Sequence, residues 1–159
     1  MKPMKIEIDV EVLTLDELVP EEKELVERSI TATDYSYANY SHFNVGAAIR
    51  LVNGMIIQGA NQENAAFPLS LCAERTAIFA AQANHPEQSI THIAIAAKNK
   101  NGLLAEPITP CGSCRQVMLE MEDRYKNNMV VLLYGTDKIY RLKTAKDLMP
   151  LSFVDANMR

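Results

Sequence analysis

Two short apolar runs, SITHIAIAAK at residues 89–98 and NMVVLLYGT at residues 128–136, leave the chain few folds to choose from. Both are rich in Ile, Val and Leu and are bounded by polar or turn-forming residues, the pattern of strands buried on two faces. Strands of that kind need a layer of helices on each side. Three segments supply it. LDELVPEEKELVERSITATDY, from residue 15, carries Pro20 near its first turn and acidic residues at its start, where they complement the helix dipole. Leu18, Leu25, Val26 and Ile30 form its expected buried stripe. CAERTAIFAAQAN, residues 72–84, is rich in alanine, with Ala73, Ala77, Ala80 and Ala81 small enough for close packing. CGSCRQVMLEMEDRY, residues 111–125, reads as the third helix. Between the first two lies VGAAIRLVNGMIIQGA, where Asn53-Gly54 separates two apolar runs and predicts a type I′ hairpin with positive φ at both centres. NKNG at residues 99–102 predicts a turn, and IYRLKTAKDLMP at residues 139–150 a strand followed by a short helix. The order α-β-β-α-β-α-β-(β)-α predicts an α/β fold, a three-layer sandwich of a mixed central β-sheet with helices on both faces.

A chain of 159 residues, 48% hydrophobic and 23% charged, with no internal repeat or linker-like tract, is expected to form one domain over residues 1–159. In residues 1–15, Ile6, Ile8, Val10 and Val12 alternate on one side, a short strand or a docking arm. The net charge of −4 and the lack of a basic run argue against nucleic acid and anionic membranes as partners. No apolar run approaches the length of a membrane-spanning helix, and MKPMKIEIDVEV has no secretory h-region. Three cysteines, an odd number, suit a reducing compartment where thiols serve metal binding or catalysis, so a cytoplasmic location is expected.

The cysteines carry the chemistry. Cys111 and Cys114 form C-x-x-C directly after Pro110, and Cys72 opens CAERTA. By itself C-x-x-C means a redox couple, half a metal site or coincidence. Both motifs fall at expected helix starts, however, where unpaired N–H groups favour thiolate over thiol. Cys111 and Cys114, three apart, share a face of the first turn, and Cys72 supplies a third sulfur from the other helix. Three protein ligands leave one tetrahedral position of zinc open for water, the arrangement of a catalytic site, whereas a structural site wants a fourth protein ligand. Glu74, two residues after Cys72, is placed to act as a general acid/base without ligating the metal. Arg75, and Arg115 beside the second motif, are expected to donate hydrogen bonds to sulfur and offset the charge of three thiolates. A structural or sensory zinc site in a binding protein stays open on these residues alone.

C-A-E at residues 72–74 with P-C-G-S-C at residues 110–114 matches the zinc-deaminase signature. With YSHFNVGAAI and NQENAAFPLSLCAERTA, the chain resembles the small cytidine deaminases of pyrimidine salvage from about residue 20 to Phe153, which implies that residues 1–15 are an N-terminal extension. The resemblance implies a hydrolase that converts free cytidine and 2′-deoxycytidine to uridine and 2′-deoxyuridine with release of ammonia, in a homotetramer holding one zinc per subunit. Cys72, Cys111 and Cys114 would bind zinc, and Glu74 would shuttle protons. Asn61 and Glu63 would hold the ribose 3′-hydroxyl, Phe43 would pack on the base, and the Ala73 backbone would touch the base edge. Phe153 would reach a neighbouring subunit's site. Three positions depart from the family's pattern: Asn39 for Pro, Gln62 for Val or Ile, and Phe67 for Tyr. The first is expected to loosen its loop, the others to retune the sugar end of the pocket. They leave a modified aminopyrimidine nucleoside, or a blasticidin-like antibiotic, as the alternative substrate.

Overall fold

A computed structural model describes residues 1–158. The chain runs β1 (Glu11–Leu13), α1 (Pro20–Ala32), β2 (Asn44–Leu51), β3 (Ile56–Ala60), α2 (Ala73–Asn84), β4 (Ile90–Asn99), β5 (Gly102–Leu103), α3 (Gly112–Tyr125), β6 (Val130–Tyr134) and β7 (Ile139–Leu142). The sheet order is β1-β7-β6-β4-β2-β3, with β5 paired on β4. β4 and β6, the two runs that read as buried strands, lie side by side and parallel, while the other pairings are antiparallel. The sheet is therefore mixed, as expected.

Period-two alternation splits the core between the two faces. Ala47, Ile49, Leu51, Ile93, Ile95, Val131 and Leu133 pack with Ala73, Ala77, Ile78 and Ala81 of α2 and Met118 and Met121 of α3. The intervening residues Ala48, Ala94 and Leu132 face the other way, onto Leu25 and Val26 of α1. Small residues on the α1 side let that helix sit close: a Cβ on Gly46 would stand 2.1 Å from the carbonyl oxygen of Ser29. On the opposite face, a Cβ on Gly59 would stand 2.5 Å from both the Ala73 oxygen and the Ala77 nitrogen. β3 thus seats the start of α2, where Cys72 lies.

Several local expectations are corrected. The β2–β3 hairpin forms, but of its two central residues only Gly54 has positive φ, at 87°. The Gly54 N–H donates to the Leu51 carbonyl at 2.8 Å and the Asn53 side chain accepts from the Met55 N–H at 3.0 Å, so the loop is longer than a type I′ turn. The final helix is a 3-10 turn, Ala145–Leu148. Of the alternating N-terminal stretch only Glu11–Leu13 becomes a strand, on β7, and Ile6, Ile8, Val10 and Val12 all remain exposed. The first helix begins at Pro20 after a separate 3-10 turn, so Leu18 is buried from the connecting loop. Among the described residues no helix is long and apolar enough to cross a membrane.

Candidate active site

Cys72 and Cys111 are the N-cap residues of α2 and α3, both in extended backbone conformation, so each helix opens on a sulfur. Their Sγ atoms lie 3.9 Å apart, and Cys111 Sγ lies 3.5 Å from that of Cys114. All three sulfurs fall within 4.8 Å of one another, and all three are free thiols. Zinc–sulfur bonds of about 2.3 Å in a tetrahedron require sulfurs about 3.8 Å apart, which this trio approaches without rearrangement. Their burial is graded: Cys114 is buried, Cys72 half-buried and Cys111 exposed. The open side is therefore that of Cys111.

Charge in the cluster is uneven in a way that suits a cation. A hydrogen bond from Cys114 and then the Arg75 guanidinium lower the Cys72 thiol to about 5, against the opposing pull of burial. The hydrogen bond to Cys72 and burial push the Cys114 thiol up. Metal binding takes cysteines as thiolates and so releases thiol protons. Arg75 Nη2 donates to Cys72 Sγ at 3.4 Å, as expected, and Arg75 Nε is buried without a hydrogen-bond partner. Arg115 does not share this duty. Its guanidinium is committed to the carbonyls of Pro110 at 2.8 Å and Leu148 at 2.7 Å and to the Thr109 hydroxyl at 3.2 Å. It braces the loop that presents Cys111 and ties it to the C-terminal segment.

Glu74 lies in the first turn of α2 and is 4% exposed. Desolvation, reinforced by the negative sulfur of Cys72, raises its carboxyl above the usual range. A carboxyl so placed accepts and returns a proton near neutrality more readily than an exposed one. Ala73, the first helical residue of α2, is fully buried, and its backbone N–H belongs to the set that has no partner within a helix.

Asn61 and Glu63 follow β3 and reach the cluster through the backbone. Gln62 and Leu71 exchange two hydrogen bonds of 2.9 Å, which brings the N-Q-E stretch to the residue preceding Cys72. Asn61 Oδ1 accepts from the Ser36 hydroxyl at 2.6 Å and the Val45 N–H at 2.8 Å, and Nδ2 donates to the Phe43 carbonyl at 3.0 Å. Glu63 Oε2 accepts from the N–H groups of Tyr40 at 2.8 Å and Ser41 at 3.2 Å, and Oε1 from the Ser41 hydroxyl. An amide offers two donors and two acceptor positions, a carboxylate about four acceptor positions. After this internal bonding, Asn61 retains one donor and Glu63 one acceptor, the complement of a single hydroxyl.

Each departure finds a partner within the chain. Gln62 Nε2 donates to the carbonyl of Tyr35 at 3.2 Å and, at 3.4 Å, to that of Ala60. Asn39 Nδ2 donates to the Tyr37 hydroxyl at 2.9 Å. Phe67 makes an edge contact with Tyr40, ring centroids 5.7 Å apart, and both rings are exposed. Phe43 is half-buried beside Asn61. Phe153 lies in the C-terminal segment, 60% exposed as a residue, with its carbonyl held by Gln116 Nε2 at 3.0 Å.

Residues 20–131 match the family model for the cytidine and deoxycytidylate deaminase zinc-binding region. The chain belongs to that deaminase family. A cytidine deaminase of Sporosarcina psychrophila is 39% identical over 131 residues, 82% of this chain and 90% of the relative. One from Halalkalibacterium halodurans is 43% identical over 97 residues, 61% of this chain and 69% of the relative. The crystal structure of cytidine deaminase from Burkholderia pseudomallei covers 82% of this deaminase and 97% of its own chain, with a TM-score of 0.70 at 38% identity. Family and donor set agree on zinc as the cofactor of this hydrolase.

Ser41 and Ser36, and the backbone amides of Tyr40 and Ser41, were not legible in the sequence as parts of the site. Tyr40 and Ser41 had a signal only in their place beside Phe43 in YSHF, and Ser36 had none.

Proposed function

We propose that this chain hydrolytically deaminates free cytidine and 2′-deoxycytidine, giving uridine and 2′-deoxyuridine with release of ammonia. The observation that carries the proposal is the meeting of three cysteine sulfurs at two helix starts with the buried carboxyl of Glu74 beside them. Cys72, Cys111 and Cys114 hold one zinc per subunit. Bound zinc supplies Lewis acidity, which makes water a competent nucleophile at neutral pH. Glu74 takes one proton from the attacking water and delivers it to N3 of the pyrimidine. The second proton of that water goes to the 4-amino group, which leaves C4 as ammonia, so the atoms balance as nucleoside plus water. Arg75 offsets the thiolate charge through Cys72. Ala73 offers its backbone N–H to the base edge, and Phe43 packs on the base.

Asn61 and Glu63 take the 3′-hydroxyl with the one donor and one acceptor left to them, which suits both ribose and deoxyribose. Phe153, exposed on its own subunit, serves a neighbour's site in a homotetramer. We place the activity in cytoplasmic pyrimidine salvage, carried by residues 1–159 as one domain with residues 1–15 as an extension, a reading supported by β1 joining the common sheet.

The test is ammonia release from cytidine and deoxycytidine by the purified chain, with zinc analysed in the same preparation. About one zinc per chain and turnover of at least one of the two nucleosides is the expected result. Turnover of neither sinks the proposal. Sedimentation at four chain masses is expected of the tetramer.

A further inference from the structure

We infer that Ser41 is a positioning residue for the sugar end of this site, its hydroxyl aiming the Glu63 carboxylate while pinning the backbone of Phe43. The inference rests on the proposed nucleoside chemistry and extends it to a residue that does not itself touch substrate.

The geometry begins with the loop after α1. His42 has φ of 54°, a left-handed conformation, and its N–H donates to the Ala38 carbonyl at 2.9 Å, closing a tight turn over residues 38–42. Inside that turn the successive N–H groups of Tyr40 and Ser41 point to one oxygen, Oε2 of Glu63. Consecutive amides form a small anion-binding nest. They fix Oε2 only. Oε1, the oxygen with an acceptor position to spare, is held by the Ser41 hydroxyl. Without that hydroxyl the carboxylate keeps its anchor but its second oxygen loses its direction.

The same Ser41 Oγ accepts from the Phe43 N–H at 3.1 Å, and the Phe43 carbonyl accepts from Asn61 Nδ2 at 3.0 Å. Asn61 and Glu63 belong to one short segment, so the bonds close a ring: Glu63 to Ser41, Ser41 to Phe43, Phe43 to Asn61. The aromatic for the base and the two groups for the sugar hydroxyl are built into one frame, and Ser41 is the member that joins its halves. The carboxyl of Glu63 is held below the usual carboxylate range, first by the Ser41 hydroxyl and then by the Tyr40 amide. Removing the hydroxyl therefore raises it.

The experiment compares cytidine with 3′-deoxycytidine as substrates of the zinc-loaded wild-type enzyme, Ser41→Ala and Ser41→Thr. Wild type is expected to lose about tenfold or more in kcat/KM when the 3′-hydroxyl is absent, the worth of a hydrogen bond to a charged group. In Ser41→Ala that ratio is expected to fall to about threefold or less, with KM for cytidine raised and kcat little changed, because ground state and transition state lose the same contact. Its KM should also begin to climb at a higher pH on the acid side than in wild type. Ser41→Thr, which keeps the hydroxyl, is expected to restore the wild-type ratio. Ser41→Gly provides a second removal of the hydroxyl should the alanine variant misfold.

A Ser41→Ala enzyme that keeps the full wild-type ratio overturns the inference and leaves the nucleoside assignment standing. A Ser41→Thr enzyme that behaves like Ser41→Ala shows that the hydroxyl is not the cause and also overturns it. A wild type that deaminates cytidine but ignores the 3′-hydroxyl overturns the assignment of Asn61 and Glu63, and this inference with it.

Discussion

At the scale of single residues, position beside the cysteines does not decide what a side chain does. Arg75 and Arg115 each follow a cysteine in sequence, and the same role suggests itself for both. One donates to sulfur at 3.4 Å, while the other spends its guanidinium on two carbonyls and a hydroxyl. The difference is one of helix phase and of what lies beyond, since only Arg115 has the Leu148 carbonyl within reach. Glu74 is the residue to which the proposed reaction assigns proton transfer. Glu74→Gln keeps the volume and polarity of the side chain but cannot carry a proton, so deamination should fall by about 10²–10⁴-fold. Zinc per chain and the thermal midpoint should stay as in wild type. Ammonia release and metal analysis check this together, and unchanged activity would refute the assignment.

At the scale of elements, the active site depends on how closely β3 approaches α2. Gly59 lies opposite Ala47 in the β2–β3 ladder and faces the first turns of α2, where there is no space for a Cβ. The two nearest atoms are backbone and the third is the Cβ of Ala77, which is fixed to the backbone, so no side-chain rotation relieves the clash. Gly59→Ala must push α2, with Cys72 at its cap and Glu74 in its first turn, away from the sheet. A destabilisation of about 1–3 kcal/mol is expected, as for other overpacked cores. Activity should drop in the fraction that remains folded. Urea unfolding midpoints and specific activity of the purified variant measure the two effects. Gly54 illustrates the opposite use of glycine, a positive φ with open space around it, and alanine there would strain only the hairpin. From sequence Gly54 is legible as a turn residue through Asn53-Gly54, whereas Gly59 is simply a glycine at the end of an apolar run, since close approach is a relation between elements distant along the chain.

At the scale of the whole molecule, a charge network ties the N-terminal strand to the body of the fold. Arg141 of β7 donates to Glu11 of β1 at 2.7 Å and to the buried Glu22 of α1 at 2.9 Å. His92 of β4 lies 3.9 Å from Glu22 and contacts the Thr91 hydroxyl at 3.0 Å. Burial holds His92 below its ordinary value, with Arg50 and Arg141 acting the same way and Glu22 opposing them. The folded chain thus prefers neutral His92, and protonation favours the unfolded chain. Its share of stability is complete above about pH 6.5 and is lost as the pH falls from there toward the lower folded value. The thermal midpoint should decline as the pH falls below about 6.5. His92→Gln should flatten that decline, and a variant with the wild-type slope would show that His92 is not its source.

The sequence by itself determined the layers of this protein and singled out the three cysteines that the structure gathers into one cluster. Period two and period 3.6 are local signals, and C-A-E with P-C-x-x-C is a short motif whose resemblance to the zinc-deaminase signature needs no tertiary contact to be seen. Only the tertiary structure decided which face each small residue opens to a helix, which arginine serves sulfur, and how the loop at residues 38–43 grips Glu63. Those are contacts between segments far apart along the chain. Their geometry is set by packing and by the satisfaction of particular hydrogen bonds, which no local pattern encodes.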